Sequence, residues 1–237
     1  MLILATDTST ATGGAALLND GQLVGETMLS VRAVHSERLM PAVEWLLSAA
    51  GVKPGQLDGV CVGVGPGSFT GVRIAVSAAK AMAFALGVPL VGVSTLDALA
   101  AGRSVGPDIE VWSLIDARHG RCYSARYLVR GAVPEPERLS DMEIRTVDQL
   151  SVGGGHDDAA DAGPTLFVGD GAVAYRREIV ERFGSRACVA EQPWALLRPM
   201  QVGLVGAALL ARGVSHSPYE LVPQYLKPSE PEARAEQ

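Results

Sequence analysis

The sequence predicts an α/β fold assembled from two halves of the same βββαβαβ type. Three observations carry this. Short runs of strand character alternate with long helical stripes, and an apolar run ends on an aspartate twice, at Asp7 in ILATDTST and at Asp116 in WSLIDARHG. Each aspartate stands before a polar turn into a second strand, so the pattern starts again midway. With 237 residues, 48% hydrophobic and 19% charged, the chain is long and apolar enough for two packed lobes.

Residues 2–8, 14–18 and 22–29 read as a strand meander, the last pair joined by Asn-Asp-Gly. From 36 to 50, Leu39, Val43, Leu46, Leu47 and Ala50 recur at helical spacing up to Gly51, with Pro41 placed to kink the first turns. Residues 57–64 are a continuous apolar strand of the kind buried on both faces, followed by the glycine-rich loop of GVGPGSFTGVR, a helix over 71–86 capped by Gly87, and a strand over 89–93. The second half has strands at 109–116 and 120–129, a helix start at 146–150, a Gly/Asp-rich loop near 151–164 expected to be mobile surface, a strand at 165–168, a helix at 172–183, a short strand at 187–190 and an apolar helix at 201–212. The lobes are therefore set at 1–103 and 104–227, with 228–237 a tail of disordered composition.

Composition excludes several classes. The start has no basic region before its apolar run and no small-residue cleavage site, and the longest apolar stretch, 74–93, is interrupted by Lys80 and Pro89, so neither a secretory signal nor a membrane span is expected. A cytoplasmic protein is the expectation. Cys61, Cys122 and Cys188 have no C-x-x-C spacing, which fits neither a disulfide framework nor a zinc site. The net charge of −6 argues against a chain that grips a phosphate backbone alone.

Two halves that each open on an aspartate-tipped hairpin point to the two-lobed actin-like architecture (ASKHA, RNase H-like) of actin, sugar kinases and Hsp70. In that architecture Asp7, Thr8, Ser9, Thr10, Gly13 and Asp116 are the residues that could hold a nucleotide and its metal in the cleft. Turn-tip Asp, Ser and Thr also commonly bond their own backbone, and this reading is favoured. GVGPGSFTGVR is no Walker loop, because Gly65 to Gly71 is one residue too long for its glycine spacing and no Lys follows; it reads as a tight turn with Ser68 or Thr70 as helix cap. Gly169, Gly171 and Ala174 match G-x-G-x-x-A with Glu191 downstream, but Asp170 sits where pyrophosphate would approach. His35, His119, His156 and His216 assemble into no triad or metal set, and neither Ser68 nor Ser94 lies in a nucleophile elbow. Arg118, Arg121, Arg126 and Arg130 near Tyr123 and Tyr127 make a hairpin, 118–130, that is either a solvated face or an RNA contact.

The segments ILATDTST, HSERLMPAVEWLL, GVGPGSFTGVRIAVSAAKAMAFALGVPLVGVSTLDALA, IDARHGRCYSARY and PQYLKP, taken in order, resemble the TsaB (YeaZ) family over almost the whole chain. The resemblance implies a cytoplasmic, non-catalytic subunit that pairs with the paralogue TsaD in transferring threonylcarbamoyl to N6 of adenosine 37 in tRNA. By the same resemblance a TsaE-type ATPase is the expected further partner, ATP and Mg are expected to be handled by the partner subunits, and tRNA is expected to be met through the complex. TsaD-type chains carry a His-x-x-x-His metal pair after the strand matching GVPL; Thr95 and Leu99 stand there here and cannot replace two imidazoles. No cofactor, metal or catalytic residue is therefore assigned. The partner surface is expected on the two long helices of the first lobe, at His35, Leu39, Val43, Leu46, Leu47, Ala75, Ala78, Ala79 and Met82, with a homodimer on the same surface in isolation. The competing functions are an ATP-dependent kinase of the actin-like class using Asp7 and Asp116, and a peptidase, for which no nucleophile is visible.

Overall fold

The computed structural model describes residues 1–30, 35–102, 108–131, 135–152 and 163–226. The Gly/Asp-rich loop at 153–162, the tail from 227 and the lobe boundary at 103/104 lie outside them, apart from the loop's ends.

In the first half β1 (Leu2–Asp7), β2 (Thr12–Asn19) and β3 (Gln22–Ser30) form an antiparallel meander. The β2–β3 turn has Asp20 and Gly21 both at positive φ, 49° and 76°, the twist that a two-residue hairpin needs. Helix α1 (His35–Ala49) continues through Pro41 and leads to β4 (Gly59–Gly63), α2 (Phe69–Leu86) and β5 (Leu90–Val93). Ser68 Oγ accepts the Gly71 amide at the start of α2, and Gly87 ends the helix in the left-handed region, so both caps read from the sequence are present. The sheet order is β3-β2-β1-β4-β5, with β4 parallel to β1 and β5 parallel to β4.

A short helix, α3 (Thr95–Ala101), precedes the second half. There β6 (Ile109–Asp116) pairs antiparallel with β7 (Cys122–Val129), and β7 also takes β8 (Glu137–Arg138) and β9 (Glu143–Arg145). Next come β10 (Thr165–Val168), α4 (Asp170–Ala174), α5 (Arg176–Phe183), β11 (Ala187–Val189) and α6 (Pro199–Ala211). The order β8-β7-β6-β10-β11 repeats that of the first sheet strand for strand, with β10 parallel to β6 and β11 to β10. The structure thus contains a duplicated unit with an aspartate at the end of each first strand.

Two expected helices differ. The 172–183 helix is divided at Tyr175, whose φ and ψ of −108° and 24° leave the helical region, and the start read at 146–150 is a single 3-10 turn, Val147–Gln149. In the second case Gln149 closes the turn on Thr146, and Leu150 returns to extended backbone.

Strand alternation builds three layers. Leu4, Leu17, Val60 and Val62 face outward under α1 and α2, whereas Ile3, Ala5, Ala16 and Cys61 face the space between the sheets. Trp112, Leu114 and Phe167 cover the outer face of the second sheet with Ile179 and Phe183. Helix α2 is long and apolar enough to cross a membrane by length and composition alone, yet its line Gly71, Val72, Ala75, Val76, Ala79 and Ala83 is buried, and α2 packs on β4. Chain order places α6 in the second lobe, but it packs on β1, β2, β4 and β5 of the first sheet. Gly203 and Gly206 permit that approach: a Cβ at Gly206 would lie 2.3 Å from Cys61 Sγ, and one at Gly203 2.3 Å from Leu18 Cδ1.

Candidate functional site

The hairpin tip that would face a nucleotide is turned into the protein. Asp7 is 1% exposed, and its Oδ1 accepts hydrogen bonds from the Ser9 amide (2.8 Å) and Ser9 Oγ (2.9 Å). Burial pushes the Asp7 carboxyl up to about 7, against the Ser9 bonds that lower it. Thr8 Oγ1 donates to the Gly71 carbonyl at 2.6 Å, the Ser68 amide donates to the Ser9 carbonyl at 2.6 Å, and Thr95 Oγ1 donates to Ser9 Oγ at 3.2 Å. Thr10 Oγ1 lies 2.9 Å from Thr12 Oγ1, which also donates to the Leu197 carbonyl, and Gly13 lines a small cavity beside Thr8, Arg38 and Leu39.

The glycines of GVGPGSFTG serve this tip. A Cβ would stand 1.8 Å from Asp7 Oδ2 at Gly63, 2.2 Å from the Ser9 carbonyl oxygen at Gly67 and 1.9 Å from the Thr8 carbonyl oxygen at Gly71. Here the space opened by missing side chains is filled by the β1–β2 turn. The geometry speaks against a Mg-nucleotide at this tip, because Asp7 is buried and its carboxyl, like the Thr8 and Ser9 hydroxyls, is bonded to protein.

Asp116, the second aspartate, is exposed. Its Oδ1 accepts from the Arg118 amide and from Tyr175 Oη, each at 2.8 Å, while its own amide donates to Asp170 Oδ1 at 3.0 Å. Partial burial, and after it the hydrogen bond to Asp116, push the Tyr175 hydroxyl up to about 12, and burial also raises Asp170. Among the described residues no hydrogen bond joins Asp7 to Asp116, and no group of three His, Cys, Asp or Glu side chains could hold a metal ion. The G-x-G-x-x-A glycines are also filled: a Cβ at Gly169 would stand 1.9 Å from the Leu114 carbonyl oxygen, and one at Gly171 2.8 Å from Cys122 Sγ. They let α4 lie close on β6.

The arginine hairpin divides in two. Tyr127 is buried and donates to Asp97, Arg130 pairs with Asp108 at 3.0 Å and Glu137 at 3.2 Å, and Arg126 lies 3.9 Å from Glu110. Arg118 and Arg121 stand exposed at the turn.

On the helix pair α1–α2, Leu39, Val43, Leu46, Leu47, Ala75 and Ala79 are buried against the first sheet and are core residues of the folded chain. Their stripe spacing marked an apolar face correctly, but that face is the one the sheet needs. Ala78 and Met82 are half-buried, and His35 opens α1. The outer surface is carried by residues the stripe reading passed over: Trp45 (63% exposed) with Met40 on α1, and Phe84 (63% exposed) with Ala81 and Ala85 on α2. The segment after α6 extends it. Tyr219 packs edge-on to Phe84 with ring centroids 5.8 Å apart, and Tyr225 stacks on Phe69 at 4.9 Å with Arg73 over the Phe69 ring. Lys80 Nζ donates to the Leu221 carbonyl at 3.0 Å and fastens that segment along α2. Trp45 was legible in the sequence as the large apolar residue opposite the stripe; the aromatic pairs with 219 and 225 need the tertiary path of the chain.

A five-strand order repeated in both sheets, with an aspartate ending each first strand, defines a protein of the actin-like class, and a hexokinase of the ROK type from Thermus thermophilus shares this fold with a TM-score of 0.52 at 13% identity, covering 90% of this chain and all of that one. The family model described as TsaD, tRNA N6-adenosine threonylcarbamoyltransferase, matches residues 30–222. The tRNA threonylcarbamoyladenosine biosynthesis protein TsaB of Bacillus subtilis is 34% identical over 99% of this chain and 97% of its own length. YeaZ from Pseudomonas aeruginosa superposes with a TM-score of 0.78 at 30% identity, over 95% of this chain and 99% of that one. The chain belongs to the TsaB (YeaZ) family.

Proposed function

We propose that this protein serves in tRNA threonylcarbamoyladenosine biosynthesis as a non-catalytic subunit, pairing with a TsaD-type paralogue through the outer surface of α1 and α2. Family membership supports the process. The observation that carries the role is the contrast between a filled hairpin tip and an exposed aromatic surface: Asp7, Thr8 and Ser9 bond to protein, while Trp45 and Phe84 stand in solvent on adjacent helices. Exposed large aromatics are what a protein interface is enriched in. Thr95 and Leu99, at the positions where the catalytic paralogue has its metal pair, are buried, Thr95 bonded to Ser9 and Leu99 packed between the sheets.

In this reading the partner supplies the transferase chemistry, a TsaE-type subunit hydrolyses ATP, and tRNA is held by the assembled complex in the cytoplasm. Ala78, Met82 and His35, expected at the partner surface, lie on the same helices as Trp45 and Phe84, and without a partner the surface is open to a second copy of the chain. Reconstitution tests the role: tRNA modification by the TsaD- and TsaE-type subunits should require this chain and should survive Asp7→Asn. Full modification without the chain contradicts the reading.

A further inference from the structure

We propose that the two lobes are locked into one rigid, cooperatively unfolding body by an exchange of their last helices. Two lobes on either side of a cleft move relative to one another by default unless the surface between them is large and apolar. Here it is the main core of the molecule. Helix α3 ends the first half yet packs on β6 and β7, and α6 ends the second half yet packs on the first sheet, with α3 and α6 also in contact. Ile3, Ala5, Leu18 and Val93 from one sheet and Val111, Ile115, Ala125 and Val168 from the other close around them in a single buried cluster.

Polar bonds pin α3 to both lobes and the start of α6 to the first. Ser113 Oγ donates to the Leu96 carbonyl at 2.9 Å, and Asp97 accepts from Tyr127 Oη and Arg138 Nη2, each at 2.7 Å, which fastens α3 to the second lobe. The same helix is held to the first lobe by the Thr95 amide on the Gly65 carbonyl (2.9 Å) and Thr95 Oγ1 on Ser9. Glu26 of β3 does this for α6: its Oε1 accepts the Met200 amide at 2.9 Å, and its Oε2 takes Arg198 Nε at 3.0 Å and Nη2 at 2.5 Å. A hinge motion would have to break the bonds of α3 to one lobe or the other and expose the apolar cluster together. The lock goes beyond the proposed function and concerns the isolated chain, so it stands or falls without any partner.

Native-state hydrogen exchange at low denaturant reads the coupling, with β1 reporting the first lobe and β6 the second. Ile179→Val trims the outer core of the second lobe, far from the first sheet, and Val43→Ala trims the outer core of the first. A locked molecule has one opening for the slowest amides of both strands, and each substitution accelerates exchange in both strands by the same factor, about 2- to 10-fold for Ile179→Val. Acceleration confined to the lobe that carries the substitution, or opening constants in the wild type that differ more than about tenfold between the strands, would overturn the lock.

Discussion

Asp7→Asn isolates the energetic consequence of burying a carboxyl at the hairpin tip. In the folded chain burial raises Asp7 from 3.8 to about 7. The folded state therefore holds a proton that the unfolded state has lost between these values. The sign follows: the neutral carboxyl's contribution is complete below the unfolded value and is lost as pH rises through the folded one. A rise of roughly 3 units corresponds to about 4 kcal/mol at 1.36 kcal/mol per unit. For a chain of this length that is a midpoint shift on the order of 10 °C. Asn keeps an oxygen for the Ser9 amide and has no charge to desolvate. Thermal and urea unfolding of both proteins, compared from about pH 4 to about pH 8, cancels titrations they share. The wild type should lose stability relative to Asp7→Asn as pH rises, levelling above about pH 7. A pH-independent difference, or one that grows in the opposite direction, refutes the claim that the tip carboxyl is buried without a compensating cation among the described residues.

Glu26→Ala should lower unfolding stability by about 2–3 kcal/mol in urea titrations, since it removes a helix cap and leaves Arg198 without its carboxylate. Gly71→Ala places a Cβ against the Thr8 carbonyl oxygen and should cost about 1–3 kcal/mol or more by the same assay, whereas Gly55→Ala, with open space around it, should cost little. Calorimetry with ATP and Mg should give no binding heat at up to about 1 mM; micromolar affinity abolished by Asp7→Ala would instead support a kinase.

Much of the fold is legible because its signals are local. The Asn-Asp-Gly turn, the Ser68 cap, the Gly87 stop and the paired aspartates Asp7 and Asp116 each depend on a few neighbouring residues. What the sequence hides is set by distant partners. The inward stripe of α1 and the outward Trp45 are both apolar, and only the path of the first sheet decides which is core. Helix α6 reads by order as part of the second lobe, and its placement on the first depends on Gly203 and Gly206 meeting Leu18 and Cys61. At the tip, Asp7 and Ser9 have the residue types of a phosphate site, and the bond from Thr95, far along the chain, turns them into an internal one. Glu26 carries no sequence signal at all, because its partner Arg198 lies at the other end of the chain.

A binding measurement decides whether the outer surface of α1 and α2 meets a partner. Purified chain and a TsaD-type subunit should co-elute in size-exclusion chromatography. The double variant Trp45→Glu/Phe84→Glu should elute alone, with unfolding stability within about 1.5 kcal/mol of the wild type, because both side chains are mostly exposed and Phe84 gives up only its edge contact with Tyr219. Co-elution undiminished by the double variant would contradict the assignment of the interface to α1 and α2.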